Sequence, residues 1–455
     1  MPLTSEEVDL LCRVGPDTPM GEVLRRYWYP AFLLADLPVP DCPPIGVQVL
    51  GENFVAFRDT AGEIGFIDEL CCHRGASLTY GRVEEGGIRC IYHGWKCDIH
   101  GNLLETPNGG GTSAVRDHVK QGSYPVRAAG GLGWVYIGPP GTEPEFPNFP
   151  WMDTPEEEIT AGEVLYDCNW LQVQEGSLDS SHLGIMHVDN GVVMQPGPPM
   201  VGSLRLDGVP WSDKVRPPGA LPGMPTTDND PVIEVEQTPF GFQYAALRWM
   251  PDSDDKYVRI SACVFPYVVC IGSPTGAVIV VPRDDETCSM INVGGRGRVP
   301  RRLGTVRDPT ADGLRQFRFP SDGRRYTIPP QDRRAMAGRT MFAGWRDGNR
   351  PQDASVQGVN GKVRIYHRRT EHLVQADAAV VMIRQLLFDS VRRLESGQAP
   401  HGLEPFDFRT LQAAHKVIGP NDRWQDLVAN NHGRALGGGE TGRETPQAAT
   451  HAVEA

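Results

Sequence analysis

The pattern of apolar and polar residues predicts two short helices followed by a long β-rich region. Residues 4–13 are predicted to be helical because Thr4 can cap the helix and Glu7 follows three residues later. Residues 20–29, MGEVLRRYWY, are predicted as a second helix. From residue 30 to residue 150, apolar runs such as VQVLGENFVAFR and LGWVYIG alternate with glycine and proline turns, which is typical of an all-β domain.

The pattern changes after a proline-rich link at residues 139–155, PPGTEPEFPNFPWMDTP. Residues 169–189 are predicted as a helix, residues 232–293 as a run of antiparallel strands, and residues 375–396 as a long helix. The chain ends in a polar segment rich in Gly and Thr, for which we predict a flexible tail. We therefore divide the chain into residues 1–150, residues 151–430 and a tail at residues 431–455.

Composition narrows the class of protein. The net charge is −13, whereas a nucleic-acid-binding surface needs a basic footprint. No apolar run reaches the roughly 18 residues of a membrane span, and the start, MPLTSEEVDLLCRVG, lacks a signal-peptide pattern. We expect a cytoplasmic protein, in which ten cysteines indicate reduced thiols and metal chemistry.

Two short motifs hold candidate ligands for one metal centre. Cys71-x-His73 is followed, after sixteen residues, by Cys90-x2-His93. Two cysteines and two histidines suit either a structural zinc ion or a Rieske [2Fe–2S] cluster, in which two thiolates bind one iron and two imidazoles the other.

The surrounding residues favour the cluster. Gly75 and Gly94 follow the ligand pairs and suit two tight loops, and the segment between the motifs is predicted as strand–turn–strand. A one-residue gap between ligands is unusual for zinc. We interpret Cys72 and Cys97 as packing thiols.

A second set of candidate ligands lies in the predicted helix at residues 169–189. Two histidines and a carboxylate form the facial triad of non-heme Fe(II) oxygenases, and His182 and His187 supply the imidazoles. Five residues correspond to about 140° on a regular helix, so the helix must distort between them, and Gly184 permits this. Asp179 and His182 are three residues apart and are predicted to share a helix face, so Asp179 can orient the ring of His182.

The third ligand must be a distant carboxylate. Two Gln-Asp pairs are candidates, Gln331-Asp332 and Gln352-Asp353. Asp353 precedes a predicted helix start, whereas the arginines after Asp332 suit a solvated, salt-bridging position. We favour Asp353.

With both sites in hand, the sequence resembles the oxygenase component of Rieske non-heme iron oxygenases, and within them the phthalate dioxygenase family. The resemblance runs along most of the chain, in the segments VGPDTPMGEVLRRYWYPA, CCHRGASL, CIYHGWKCD, NWLQVQEGSLDSSHLGIMH, RPQDASVQG and RTEHLVQADAAVVMIRQLL. It departs at Gln357, where the family usually has Glu, and at the Gly- and Pro-rich residues 190–230.

The resemblance implies an α+β chain, with an all-β Rieske domain and a helix-grip (START-like) catalytic domain built on a large antiparallel sheet. It implies a homo-oligomer, a trimer or stacked hexamer, without a separate small subunit. In such a ring, Asp179 bridges His93 of one subunit to His182 of the next, which makes Asp179 a catalytic residue.

The function implied is electron transfer from a [2Fe–2S] cluster to a mononuclear Fe(II) that activates O2 for an aromatic substrate. We expect cis-dihydroxylation of an aromatic carboxylate or phenoxy acid, in aromatic catabolism. The chain has no dinucleotide fingerprint and no four-cysteine ferredoxin spacing, so a separate NAD(P)H-dependent reductase of the flavin or ferredoxin type is expected.

Two alternatives remain open at this point. One is a monooxygenase that removes O- or N-methyl groups on the same scaffold, and the other is a non-enzymatic zinc protein or electron carrier. An anionic substrate requires local arginines on this acidic protein, and Arg216, Arg248 and Arg259 are the candidates.

Overall fold

The computed structural model describes most of the chain. The described residues are 3–109, 113–155, 158–187, 230–250, 253–294, 326–338, 341–345, 350–357 and 370–432, with the short strands at 205–206 and 209–210. Arg216, residues 190–204 and the tail from residue 433 lie outside them.

The N-terminal part is β-rich, as predicted. Its helices are α1 (Ser5–Cys12), α2 (Pro19–Leu24) and α3 (Ser113–His118). Its strands form a three-stranded sheet in the order β1-β10-β9, a three-stranded sheet β2-β3-β4 and a four-stranded sheet β5-β6-β7-β8. The strand bounds are β1 (Trp28–Leu33), β2 (Ile45–Val49), β3 (Glu52–Arg58), β4 (Ile64–Asp68), β5 (Arg82–Glu84), β6 (Gly87–Arg89), β7 (Lys96–Cys97), β8 (Leu103–Glu105), β9 (Val126–Ala129) and β10 (Leu132–Tyr136).

The two predicted N-terminal helices differ in outcome. The first is confirmed, because Thr4 and Glu7 form a reciprocal capping box at the start of α1. The second ends at Leu24 rather than at residue 29, so that part of the prediction was wrong. The aromatic residues that follow enter β1, where Trp28 pairs with Tyr136 of β10.

The C-terminal part is built on an eight-stranded antiparallel sheet, also as predicted. Its order is β11-β19-β18-β17-β16-β15-β14, and β20 pairs with β16 off this path. The strands of this part, including a separate two-stranded ribbon of β12 and β13, are β11 (Thr160–Tyr166), β12 (Arg205–Leu206), β13 (Val209–Pro210), β14 (Val232–Thr238), β15 (Gly241–Trp249), β16 (Lys256–Val264), β17 (Val268–Ile271), β18 (Gly276–Pro282), β19 (Cys288–Gly294) and β20 (Ala414–Ile418).

Within the described residues, four helices accompany this sheet: α4 (Trp170–Leu178), α5 (Arg333–Ala337), α6 (Arg350–Gln357) and α7 (Ala378–Glu395). The long helix α7 packs over β14 and β15, so the predicted C-terminal helix is confirmed. The predicted helix at residues 169–189 is shorter than expected. It ends at Leu178, and a 3₁₀ turn, His182–Gly184, is the one helical turn that follows up to residue 187, where the described residues end.

The core explains how the two parts are joined. One large apolar core includes α1, β1 and β10 of the N-terminal part as well as α4, α7 and the large sheet. A smaller core lies under the cysteine-rich loops. Backbone hydrogen bonds from Leu50 and Gly51 to Pro282 and Arg283 also tie the β2–β3 turn to the large sheet. Among the described helices, none has the length and apolar character of a membrane span.

Candidate metal centres

The four cysteine and histidine candidates of the first motif lie on two loops with the same backbone pattern. In the loop between β4 and β5, the Cys71 N–H donates to the Ala76 carbonyl at 2.9 Å and the Gly75 N–H donates to the Cys71 carbonyl at 2.9 Å. The loop between β6 and β7 repeats both bonds, with Cys90, Gly94 and Trp95, at 2.9 and 3.0 Å. These two matching loops, residues 71–76 and 90–95, are together called the clasp.

Glycine is required at the fourth position after each cysteine. Gly75 and Gly94 have φ values of 69° and 75°, in the left-handed region that other L-residues rarely adopt. The tight loops predicted from these glycines are therefore present.

The side chains of the clasp converge. The imidazole rings of His73 and His93 have centroids 4.6 Å apart, and Cys71 and Cys90 both belong to the small apolar core beneath the loops. Both cysteines are buried, whereas both histidines are half-buried. Two thiols on the inner side and two imidazoles on the outer side match the donor set of a Rieske cluster.

Aromatic residues fix the two imidazoles. The Trp95 ring stacks on His73 with centroids 4.3 Å apart and an interplanar angle of 2°, and its Nε1 donates to Asn108 Oδ1 at 2.6 Å. Tyr92 packs against His93 at 3.8 Å. Burial and the nearby His93 and Arg74 lower the pKa of His73, which favours the neutral ring that binds metals.

The other two cysteines of the region pack around the clasp. Burial raises the pKa of Cys97 to about 12, so it stays a thiol in the small core. Cys72 packs at the edge of the same core, and its backbone N–H donates to Gln121 Oε1 at 2.8 Å.

Exposed apolar side chains on and near the two loops form a set that we call the apolar rim. We define it by Leu70, Tyr80, Ile91 and Tyr92, whose exposed fractions are 55%, 55%, 63% and 57%. These residues flank the candidate ligands along the chain. Contiguous exposed apolar surface is the kind that protein partners cover.

The second motif meets the predicted third ligand. The Nε2 atoms of His182 and His187 are 3.1 Å apart, and Asp353 Oδ1 lies 3.0 Å from His187 Nε2 and 3.7 Å from His182 Nε2. These three residues are the only group of this kind in the described part of the chain. The sequence prediction of His182, His187 and Asp353 as neighbours is therefore matched by the geometry.

Each imidazole of this triad has an acceptor on its other nitrogen. Asp179 Oδ2 lies 3.0 Å from His182 Nδ1, and Gln352 Oε1 lies 2.7 Å from His187 Nδ1. With Nδ1 protonated on both rings, both Nε2 lone pairs face each other and the carboxylate of Asp353. Three electron-pair donors that converge without a proton donor among them fit a cation, and the set is the 2-His-1-carboxylate group of non-heme iron.

The end of α4 explains how Asp179 reaches His182. Asp179 takes an extended conformation after Leu178, and its Oδ1 accepts hydrogen bonds at 2.7 Å from both the N–H and the hydroxyl of Ser181. This local turn competes with the helix and ends it. The two residues are thus neighbours because the helix stops, and not because they share one of its faces.

Two anchors hold α4 in place. Asn169 caps its first turn and donates to the carbonyls of Cys12 and Asp285 at 3.0 and 2.7 Å. Near the other end, Arg384 of α7 donates from Nε to Glu175 Oε1 at 2.7 Å and also pairs with Glu371. The Arg384 side chain is only 6% exposed.

Two of the three arginines proposed for the substrate lie beside this site. Arg248 Nη2 donates to the Ser180 carbonyl at 2.6 Å, and Arg259 Nη2 donates to the Ser180 hydroxyl at 2.5 Å. Arg259 pairs across the sheet with Ala246, two residues from Arg248, so both arginines are on one face. All three residues are buried.

The competing carboxylate, Asp332, has a different environment. It is exposed and is the N-cap of α5, where its Oδ1 accepts from the Ala335 N–H at 2.8 Å. It does not belong to the triad. Gln352 was not predicted as a site residue, although its position next to Asp353 on the same helix was the available signal.

Comparisons with known proteins agree with both centres. The model of the Rieske [2Fe-2S] domain matches residues 27–117, and the model of the LigXa C-terminal domain like family matches residues 135–441. The oxygenase subunit of phthalate 4,5-dioxygenase from Pseudomonas putida is 34% identical over 449 residues, which are 94% of this chain and 95% of that protein. The chain belongs to the Rieske non-heme iron oxygenases, as an oxygenase subunit of the phthalate dioxygenase family.

Other relatives show the range of this family. The oxygenase subunit of 5,5'-dehydrodivanillate O-demethylase from a Sphingobium species is 34% identical over 306 residues, which are 66% of this chain and 64% of that protein. The solved structure of Pseudomonas putida CBB5 NdmA with caffeine shares the fold, with a TM-score of 0.52, 16% identity and coverage of 89% of this chain and 99% of that one. The protein is therefore an oxidoreductase with a [2Fe–2S] cluster and a mononuclear iron.

Proposed function

We propose that the chain is the oxygenase component of a multicomponent system that hydroxylates an aromatic acid. The observation that carries this proposal is the convergence of His182 Nε2, His187 Nε2 and Asp353 Oδ1, whose ligand atoms all lie within 4.8 Å of one another. These three residues would hold the mononuclear iron. Two histidines and one carboxylate leave coordination positions open for other molecules.

The cluster would be held by Cys71, His73, Cys90 and His93. When bound, the two metal groups supply one-electron transfer and O2 activation. The chain contributes the orientation of the rings: Trp95 holds His73 by stacking. On the iron side, Asp179 holds the Nδ1 proton of His182, so that Nε2 stays available to the metal.

An aromatic carboxylate or phenoxy acid is the proposed substrate. The protein carries a net charge of −13, so an anion needs local positive charge, and Arg248 and Arg259 provide two buried guanidinium groups that both bond Ser180, the residue after Asp179. Buried Arg259 Nε has no hydrogen-bond partner among the described residues. A bound carboxylate would satisfy such a donor, and the charged hydrogen bond is a strong one.

Ser180 gives the two arginines a fixed position relative to the iron. It lies between Asp179 and Ser181, and it accepts from both guanidinium groups. A carboxylate that binds these arginines would therefore sit at a set distance from His182. The third candidate, Arg216, lies outside the described residues and stays a prediction.

Two outcomes of O2 activation remain candidates. We favour cis-dihydroxylation, because the relative whose alignment covers 94% of this chain is named a dioxygenase. Removal of a methyl group is the second candidate, because an O-demethylase subunit shares the same percentage of identity over two thirds of the chain. Product analysis distinguishes them, since a cis-diol forms in the first case and formaldehyde in the second.

We also propose two protein partners. A separate NAD(P)H-dependent reductase of the flavin or ferredoxin type would reduce the cluster. A second copy of the chain would cover the exposed apolar rim in a trimer or stacked hexamer, in which Asp179 links His93 of one subunit to His182 of the next. The exposed fractions of the rim residues, all above one half, support such a contact.

A cytoplasmic location and the division at residue 150 complete the proposal. All ten cysteines are free, which suits a reducing compartment. The division into residues 1–150 and 151–430 rests on the proline-rich link at residues 139–155, and the second family model already begins at residue 135.

A panel of aromatic substrates tests the function. The purified protein, a surrogate reductase and NADH would be mixed with benzoate, phthalate and phenoxy acids and with the matching neutral amides. We expect NADH and O2 consumption with at least one acid, coupled to a hydroxylated product. Turnover of the amides at the rate of the acids would contradict the carboxylate proposal.

A further inference from the structure

Gln352 makes a contact that no sequence motif predicted. Its side chain is fully buried, and its Oε1 lies 2.7 Å from His187 Nδ1. The other end of the amide is also fixed, because Nε2 donates to the Trp345 carbonyl at 3.2 Å. The Trp345 carbonyl oxygen can only accept a hydrogen bond. If the Gln352 amide group were rotated by 180°, its own oxygen would face that carbonyl and the bond would be lost.

The fixed amide determines the proton position on His187. An amide oxygen accepts, so Nδ1 of His187 must carry the hydrogen, and Nε2 keeps its lone pair toward Asp353. We propose that Gln352 is the positioning residue of His187 and sets the tautomer that binds iron. The inference rests on the proposed function, because it takes His187 as an iron ligand.

The two imidazoles of the site are therefore supported differently. His182 faces the carboxylate of Asp179, whereas His187 faces a neutral amide. A carboxylate acceptor makes an imidazole a stronger donor to a metal, whereas an amide fixes its direction without adding charge. Helix α6 carries both Gln352 and Asp353. The position of this helix therefore determines where the Asp353 carboxylate lies and how the His187 ring is oriented.

The chain offers a matched control in its other Gln-Asp pair. Gln331 Nε2 donates to the Ala343 carbonyl at 2.7 Å, just as Gln352 Nε2 donates to the Trp345 carbonyl in the same segment. Gln331 has no imidazole partner among the described residues. The substitution Gln331→Leu thus removes an equivalent amide bond without touching the site.

The experiment measures Fe(II) binding rather than turnover. The mononuclear iron is removed from the cluster-containing protein with a mild chelator, and Fe(II) is then titrated back in competition with that chelator. We expect Gln352→Leu to bind Fe(II) about 10–100-fold more weakly than the wild-type protein. Gln331→Leu should match the wild-type protein, and the Rieske electron paramagnetic resonance signal should be unchanged in both variants.

The variant Gln352→Glu separates positioning from packing. It keeps an acceptor for His187 Nδ1 but loses the donor to Trp345, so we expect Fe(II) binding at least tenfold tighter than in Gln352→Leu, together with a lower melting temperature than the wild-type protein. A role in packing alone predicts that Glu is at least as harmful as Leu, because it would place a charge in a fully buried position.

The experiment distinguishes a failure of the inference about Gln352 from a failure of the proposed iron site. If Gln352→Leu binds Fe(II) as tightly as the wild-type protein, or Gln352→Glu binds no better than Gln352→Leu, the inference about Gln352 is wrong and the proposed function is untouched. If the depleted wild-type protein takes up no Fe(II), the proposed iron site is wrong, and the inference falls with it.

Discussion

Asp179 and His182 form a hydrogen-bonded pair in which the carboxylate Oδ2 lies 3.0 Å from the ring Nδ1. Burial alone would raise the pKa of Asp179, but the hydrogen bonds from the His182 ring and from Ser181 outweigh it and lower the pKa below its usual value. The carboxylate is therefore ionised at neutral pH, and it directs the Nε2 of His182 toward the two other members of the triad.

Asp179→Asn should lower turnover by at least about 100-fold even when saturating Fe(II) keeps both metal centres filled. An asparagine that keeps its oxygen toward Ser181 turns its NH2 group toward His182 Nδ1–H, so the link is lost, whereas the three iron ligands are untouched. Metal analysis and steady-state O2 consumption would check this. Ser181→Ala keeps the carboxylate and should stay near the wild-type rate, and ordinary product formation by Asp179→Asn would remove the proposed linking role.

His73→Cys should lower the reduction potential of the cluster, because a thiolate replaces a neutral imidazole. A redox titration followed by electron paramagnetic resonance measures the change. Cys72→Ser is the control, because Cys72 packs beside the clasp and should leave the signal intact. Loss of the Rieske signal in Cys72→Ser would show that Cys72, and not Cys71, is the ligand.

Arg384→Met should destabilise the protein by about 3–5 kcal/mol, since it removes the buried cation that pairs with the half-buried Glu175 and Glu371. The exposed pair of Arg409 and Asp407, with side chains 62% and 61% exposed, gives the control. Arg409→Met should change the free energy of unfolding by less than about 1 kcal/mol. Equal effects in chemical denaturation would contradict the anchoring role of Arg384.

Arg259→Ala should raise KM for the acid substrate by roughly 10–100-fold, which corresponds to about 1.5–3 kcal/mol for a charged hydrogen bond. The KM of the neutral amide should change little, because the amide lacks the charge that Arg259 recognises. Initial rates over a range of both compounds give the comparison. An equal rise for acid and amide would assign Arg259 to holding Ser180 rather than to the substrate.

The sequence predicted elements where local chemistry and periodicity agree. The capping box of Thr4 and Glu7, the strands at residues 232–293 and the glycines of the two cluster loops all appear in the structure. The ligand spacings also indicated the family, because the donor types and their short separations are unusual outside metal sites.

Some helix ends and the role of Gln352 could not be predicted from the sequence, because they depend on side-chain contacts formed only in the folded chain. α2 ends at Leu24, the side chain of Arg25 donates to the carbonyls of Gly21 and Leu50, and the aromatic residues after it pair with β10. The predicted helix at residues 169–189 stops because the side chain of Asp179 binds Ser181. The role of Gln352 depends on a ring 165 positions earlier in the chain.

Iron and acid-labile sulfide analysis of the wild-type protein, Asp353→Ala and Asp332→Ala tests the central assignment most directly. We predict that the wild-type protein and Asp332→Ala hold one iron more than the cluster accounts for, because Asp332 is an exposed helix cap. Asp353→Ala should lose that iron and keep the cluster, since its carboxylate lies 3.0 Å from His187 Nε2. Zinc in place of iron, or loss of the extra iron from Asp332→Ala but not from Asp353→Ala, would contradict the account.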